Sequence, residues 1–296
     1  MSNRMNTNDV QAQYAGVARG SLSNESDSVR SIAYAFGYSQ DELNQLPAGA
    51  NMGLSCGNPL ALASVREGEV VVDLGCGGGM DVFLAARKVG TSGRVIGIDM
   101  TAEMLERARA GQQKLGLTNV EFHQSTIDQL PLSDNSVDCV ISNCVINLVP
   151  DKLSVFHEIM RVLKPGGRVA LSDIALKQAL PDEVKQSVEA YVGCISGAIL
   201  IDEYRRLLEQ SGFASVLVTD TGADLNAYAM ASNGGCCDEV SCSTDVGESA
   251  GGTGEKSLHD GLASVMQSFD ANAYAASVRV HALKQSSMHD VNTIPV

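Results

Sequence analysis

The chain contains no Trp, and aromatic residues make up only 4% of it. A surface that binds single-stranded nucleic acid needs rings on which bases can stack, and few are on offer. Basic residues are scarce as well: 21 Lys and Arg stand against 35 Asp and Glu, a formal net charge of -14. A phosphate backbone is repelled at long range, so no nucleic-acid partner is expected. No apolar run reaches the length of a membrane span. The opening MSNRMNTNDV has no apolar stretch like that of a signal peptide. The expectation is a cytoplasmic protein without a membrane partner. Five histidines are present (His123, His157, His259, His281, His289), and no two have H-x-x-x-H spacing, so a helical zinc-hydrolase pattern is missing.

What is present suits a packed core: 296 residues, 44% of them hydrophobic. Eight cysteines in a reducing compartment are expected to be thiols, acting as packing, as ligands or as redox groups. Helices are predicted at DVQAQYAGVAR, DSVRSIAYAFG and SQDELNQLP, the last capped by Ser39, followed by AGANMGLSCGNPLALASV, a Gly-rich loop running into a short helix. From there strands and helices alternate: VVVDL, MDVFLAARKVG, GRVIGID, then TAEMLERARAGQQKLG behind Thr101 as its cap. NVEFHQ, VDCVISN and GRVALSD are further strands, with helix KLSVFHEIMRVL before the last. This alternation predicts an α/β protein whose parallel sheet carries helices on both faces. The predicted division is an N-terminal helical and loop segment (1–67), a core (68–175) and a C-terminal region (176–296). The last includes predicted helices PDEVKQSVEAYVGCISGA and IDEYRRLLEQSG, strands ASVLVTD and AASVRVHALK, and a Gly-, Ser- and acid-rich insertion at 232–260.

The stretch VVVDLGCGGGMDVF places a Gly-rich turn between a strand and a helix, where a ligand can approach the backbone. A dinucleotide fingerprint needs Gly at the sixth position. Counting from Gly75 that position is Met80, and from Gly77 it is Val82, so an NAD site is not expected. The run Asp73-Leu-Gly75-Cys-Gly77-Gly-Gly79 instead resembles the first motif of class I S-adenosylmethionine-dependent methyltransferases. That resemblance, over about residues 68–175, implies a Rossmann-like seven-stranded sheet with S-adenosylmethionine as cofactor. It implies that the glycine turn passes beneath the cofactor and that Asp99, followed by Met100, accepts bonds from the ribose. Thr126 and Ile127 fall where the family places the adenine, and Asn143 is expected to bond cofactor or substrate. RVLKPGGRVALSD matches the family's late helix, turn and strand, with Pro165, Gly166 and Gly167 as the turn.

Cysteines flank this core in three glycine-neighboured segments: GLSCGNP (Cys56), YVGCISGA (Cys194) and NGGCCDEVSC (Cys236, Cys237, with Cys242 unassigned). Several thiolates beside a methyl-transfer cleft suit a soft acceptor. Arsenic(III) binds three sulfurs and keeps a lone pair to methylate, which zinc does not. GANMGLSCGNPLALAS, RVIGIDMTAEMLERAR, SNCVINLVPDK and GCISGAI resemble the bacterial arsenite S-adenosylmethionine methyltransferases, a resemblance spanning about residues 10–220. It implies arsenite, or its glutathione or thiol conjugates, as substrate, and thioredoxin or glutathione as reductant. It implies Cys56 and Cys194 as fixed arsenic ligands, with the C-terminal region capping the cleft. Cys236 or Cys237 is the expected third ligand, or the pair captures arsenite and passes it inward. Cys194 is expected on a helix, and Cys76 and Cys139 as packing thiols. Cys144 is left open between lining the cofactor pocket and packing. The alternatives are a quinone- or sterol-type C-methyltransferase, which has no use for these thiols, and a thiol-based metal-binding protein, which has no use for the intact glycine motif.

Overall fold

The computed structural model describes residues 7–185, 194–228 and 270–286. Four helices precede the sheet: α1 (Thr7–Arg19), α2 (Asp27–Ala35), α3 (Gln40–Asn44) and α4 (Leu60–Ala63). Ser39 caps α3 as predicted, in a capping box with Glu42. Then come β1 (Val70–Leu74), α5 (Met80–Val89), β2 (Arg94–Asp99), α6 (Ala102–Leu115), β3 (Val120–Gln124), β4 (Val137–Asn143), α7 (Lys152–Val162) and β5 (Leu163–Leu176). Beyond these lie α8 (Asp182–Lys185), α9 (Ile201–Gln210), β6 (Ala214–Asp220), α10 (Ala271–Tyr274) and β7 (Ala275–Leu283). Thr101 stands before α6 as predicted, but its side chain makes no capping bond.

The seven strands form one sheet in the order β3-β2-β1-β4-β5-β7-β6. β1 to β5 pair in parallel, and β7 runs antiparallel between β5 and β6. The sheet therefore takes two strands from beyond residue 175. The predicted Pro165–Gly167 turn lies inside β5, where pairing with β4 jumps from Val137↔Leu163 to Cys139↔Arg168.

Successive strand residues point to opposite faces, which sorts the core. Val72, Leu74, Ile96 and Ile98 pack with Phe156 and Ile159 of α7 and Tyr204 and Leu208 of α9. Val71, Val95, Cys139 and Ile141 pack with Phe83 and Leu84 of α5 and Leu105 of α6. A third apolar cluster gathers Val10, Ile32, Phe36, Ile174, Leu225 and Tyr228 around three cysteines. It joins the N-terminal helices to the chain that follows the fifth strand. Among the described residues no helix is long and apolar enough to cross a membrane.

The N-terminal segment is fastened to α6. Arg107 donates to the carbonyls of Gly49 (2.9 Å), Ala18 (3.0 Å) and Leu22. Gln11 reaches the carbonyl of Met100 at 2.9 Å, and Arg19 pairs with Glu103 at 2.7 Å. These bonds lay α1 over the carboxyl ends of the strands.

Candidate active site

The strand order reverses between β1 and β4, and the chain leaving those strands bounds a cavity of about 450 Å³. That volume is within the range that holds a cofactor-sized ligand, ~300–1,000 Å³. Asp73 and the turn after β1 form its floor. Gly75 has φ +68°, and a side chain there would run into Val145. A Cβ on Gly78 would meet the carbonyl oxygens of Gly49 and Ala50 at 2.6 and 3.0 Å, so glycine lets the N-terminal loop lie against the turn. Asp99 ends β2 and holds the turn: its Oδ2 accepts from Gly77 N and its Oδ1 from Thr101 N, both at 2.9 Å.

Asp73, Gly75, Gly77, Asp99, Met100, Thr126, Ile127 and Asn143 all line the cavity. Gly79 is not on the wall; it opens α5 at φ +89°, where a side chain would strike the Phe83 ring. The sequence reading missed Asp81 and Tyr14, which also line the cavity. Asp81 sits in the first turn of α5 and Tyr14 on the N-terminal helix, and no local pattern marks either as facing a ligand.

Three carboxylates thus share one buried wall: Asp73, Asp81 and Asp99. Burial raises the pKa of each, and the charges of Asp81 and Asp99 raise Asp73 further. Asp81 is pushed up to about 6, against the hydrogen bonds it accepts from Tyr38 and Asn143. Among the described residues none of the three forms an ion pair with Lys, Arg or His. Such a wall favours a cationic ligand. S-adenosylmethionine, with a sulfonium and an ammonium, fits that donor set.

Beside the cavity the side chains of Cys56, Cys144 and Cys194 converge, their Sγ atoms within 4.8 Å of one another. Cys56 comes from the loop before α4, Cys144 directly follows β4, and Cys194 lies near the carboxyl end of β5. The Sγ atoms of Cys56 and Cys144 are in contact, with Cα atoms 5.7 Å apart. Cys194 Sγ–H donates to the carbonyl of Cys144 at 2.6 Å. Burial and the charge of Asp173 push the Cys194 thiol well up, so it is protonated at neutral pH.

The cluster is held from several sides. Cys56 N–H donates to Asn143 Oδ1 at 3.0 Å, and Ser277 Oγ–H donates to the Cys56 carbonyl at 2.5 Å. The Tyr228 hydroxyl lies 2.5 Å from the carbonyl of Ser55 and 3.7 Å from Cys56 Sγ. Asn147 Nδ2 donates to Asp173, to the Ile174 carbonyl and to the Cys194 carbonyl at 3.2 Å. Cys144 and Cys194 both have left-handed backbones, with φ of +60° and +64°. Such a conformation costs a side-chain-bearing residue roughly 1–2 kcal/mol. It also corrects the expected helix at Cys194, which is in a turn.

Cys56 and Cys194 are therefore brought together as the sequence suggested, and Cys144 joins them. Cys144 also lines the cofactor cavity, which answers the question left open for it. Its position at the carboxyl end of the strand bordering the switch point was the available signal. Cys139 packs in the sheet core, as does Cys76, which also reaches the cavity wall. Cys236, Cys237 and Cys242 lie outside the described residues.

Residues 66–212 match the family model of a methyltransferase domain. With the sheet order and the glycine turn, this identifies residues 66–212 as a methyltransferase domain with the class I S-adenosylmethionine-dependent fold. Within that class the chain's similarity runs to arsenite methyltransferases. It is 47% identical over 180 residues to the arsenite methyltransferase of Halobacterium salinarum, covering 61% of this chain and 46% of that one. It is 40% identical over 184 residues to the arsenite methyltransferase of Aquipseudomonas alcaligenes, covering 60% and 53%. The chain thus spans about half the length of these curated relatives. Among solved structures it is similar to an arsenic(III) S-adenosylmethionine methyltransferase from Chlamydomonas reinhardtii, with TM-score 0.53, 27% identity, and coverage of 88% of this chain and 74% of that one.

Proposed function

We propose that this protein transfers methyl groups from S-adenosylmethionine to trivalent arsenic held by Cys56, Cys144 and Cys194. The observation that carries the reading is the convergence of three thiols within 4.8 Å, one of them on the wall of the cofactor cavity. A carbon acceptor of the quinone or sterol kind has no use for such a cluster. A trivalent arsenic atom uses all three sulfurs and keeps its lone pair.

Loading balances without an external base. Arsenous acid and three Cys thiols give a tris-thiolate and three water molecules, so each thiol proton leaves with a hydroxide. The high pKa of Cys194 is therefore no obstacle. Asp73 and Asp81 would hold the cationic end of the cofactor, Asp99 the ribose, and Thr126 and Ile127 the adenine. The cofactor supplies an electrophilic methyl group, which the arsenic lone pair takes. No general base is needed, because the nucleophile carries no proton. The protein's part is positioning, worth up to ~7–11 kcal/mol in well-oriented systems. The apolar side chains of Phe36, Ile174 and Leu225 around the thiols keep water from competing.

Methyl transfer leaves arsenic two electrons more oxidised. Two cluster thiolates joining as a disulfide return those electrons, and Cys56 and Cys144 are already in contact for it. Thioredoxin or glutathione would then reduce the disulfide to two thiols. Cys236 and Cys237 keep the outer role of capturing arsenite before it reaches the cluster. The segments 1–67, 68–175 and 176–296 would each contribute one of the three thiols.

The test is direct. Reduced protein is incubated with arsenite, methyl-labelled S-adenosylmethionine and a thiol reductant, and arsenic species are separated and counted. Methylarsenicals carrying the label are expected. Folded protein that binds the cofactor yet yields none refutes the proposal.

A further inference from the structure

Tyr38 has no part in the chemistry above, yet it is buried against Asp81, which faces the cofactor cavity. Tyr38 lies between α2 and α3 and is 3% exposed; Asp81 is 6% exposed and reaches the cavity wall, which Tyr38 does not. The Tyr38 hydroxyl donates to Asp81 Oδ1 at 2.8 Å. Asn143 Nδ2 donates to Tyr38 Oη at 2.9 Å and to the Gly57 carbonyl at 2.7 Å, and lies 3.3 Å from Asp81 Oδ2. The other end of the same carboxamide accepts from Cys56 N–H at 3.0 Å. A continuous set of hydrogen bonds therefore runs from a cavity carboxylate to the backbone on both sides of a cluster thiol.

We propose that Asp81, Tyr38 and Asn143 form a positioning relay that couples the two sites, so that a cationic ligand in the cofactor cavity raises the affinity of the thiol cluster for trivalent arsenic. The inference rests on the arsenic reading given above.

The polarity of the relay supports this. Tyr38 O–H and Asn143 N–H both point at the Asp81 carboxylate as donors. An ionised carboxylate accepts both, and hydrogen bonds to a charged acceptor are roughly twice as strong as neutral ones. A protonated Asp81 would place a third donor among them. Burial works against the ionised form, and a positive charge in the cavity works for it. Asn143 has little freedom to compensate. If its carboxamide turns, Cys56 N–H and the Gly57 carbonyl lose their partners together. The backbone at Gly57 is tightly enclosed, since a Cβ there would lie 2.7 Å from Cβ of Ser172. The orientation that satisfies Asp81 is thus the one that fixes Cys56. Linkage makes the effect mutual: arsenic in the cluster tightens cofactor binding by the same factor.

The experiment uses the reduced full chain and equilibrium dialysis with arsenite, with and without saturating S-adenosylhomocysteine, which carries the ammonium but has no methyl to transfer. In the wild type the arsenite Kd is expected to fall about tenfold when S-adenosylhomocysteine is present, within the usual 5–150-fold range of coupling between sites. Tyr38→Phe keeps the ring and removes the bridging hydroxyl. It is expected to bring the ratio of the two arsenite constants to within about twofold of one. Its own affinity for S-adenosylhomocysteine alone should change less than about threefold, because Tyr38 is not on the cavity wall. Asp81→Asn, read by the same ratio, serves where the tyrosine variant does not fold. A wild-type ratio of one overturns the relay. So does a Tyr38→Phe ratio equal to the wild type, which would assign the coupling to direct contact between the ligands. Protein that binds no arsenite in either condition removes the arsenic reading and the relay with it, whereas binding without coupling removes the relay alone.

Discussion

Cys144→Ser separates a site completed by Cys144 from the one that sequence reading favours, in which Cys236 or Cys237 completes Cys56 and Cys194. The change keeps the volume of the side chain nearly constant and removes one sulfur from a cluster whose donor atoms lie within 4.8 Å of one another. The third arsenic–sulfur bond forms within an already tethered complex. Losing a tethered contact of that kind lowers affinity by about 10²–10⁴-fold. At about 1.4 kcal/mol per tenfold, this is roughly 3–6 kcal/mol of binding free energy. The cost to folding is smaller: a hydroxyl buried without a full set of partners costs about 1–3 kcal/mol. The two effects are separable. Arsenite affinity is measured on reduced protein by equilibrium dialysis with arsenic quantification, and folding by a thermal melt. Cys139→Ser is the control, since Cys139 is fully buried in the sheet core away from the cluster and incurs a similar folding cost. The expected result is a loss of arsenite affinity of two orders of magnitude or more for Cys144→Ser, with little change for Cys139→Ser. Retention of affinity within threefold in the Cys144 variant, or an equal loss in the control, refutes the three-thiol site.

Arg107→Leu removes four guanidinium bonds to the carbonyls of Ala18, Gly20, Leu22 and Gly49, so the segment over the cavity loosens. A stability loss of about 2 kcal/mol or more and weaker S-adenosylhomocysteine binding are expected, and unchanged binding would show that α1 does not cover the site. Asp81 has its pKa raised from 3.8 to about 6, so its contribution to folding is complete below about pH 4 and is lost as pH rises through about 6. A cationic ligand selects the ionised form, so affinity for S-adenosylhomocysteine should instead rise between about pH 5 and 7; Asp81→Asn should flatten both profiles, read by denaturation and by titration calorimetry. Replacing Cys236 and Cys237 together should leave arsenite affinity of the reduced protein within about threefold, if the cluster already supplies three sulfurs, while slowing uptake from dilute arsenite. A loss as large as that of Cys144→Ser would return the third ligand to the C-terminal pair.

The cofactor half of the site was legible because it is local. Strand, glycine turn, helix and the acid ending the next strand lie within residues 70–99, and their order in sequence is their order in space. The cavity accordingly takes in Asp73, Gly75, Gly77 and Asp99, together with Thr126 and Ile127 one strand further on. The thiol half was only partly legible because it is assembled by tertiary packing. Cys56 and Cys144 are 88 residues apart, and Cys194 follows after a further 50. Composition marked Cys56 and Cys194 through their glycine neighbours. Cys144 carried no such mark, and its strand of apolar neighbours made packing an equal reading. What distinguishes it is a backbone conformation that no residue pattern announces. Of the five described non-glycine residues with positive φ, two are cluster cysteines. Cys144 and Cys194 both take left-handed backbones where their sulfurs converge with that of Cys56. Strain of this kind persists where surrounding structure enforces it. Here the enforcement is visible in Asn143 beside one thiol and Asn147 on the carbonyl of another. The two asparagines, both in SNCVINL, place this short segment between the cavity and the thiol cluster, with Cys144 as the residue that belongs to both.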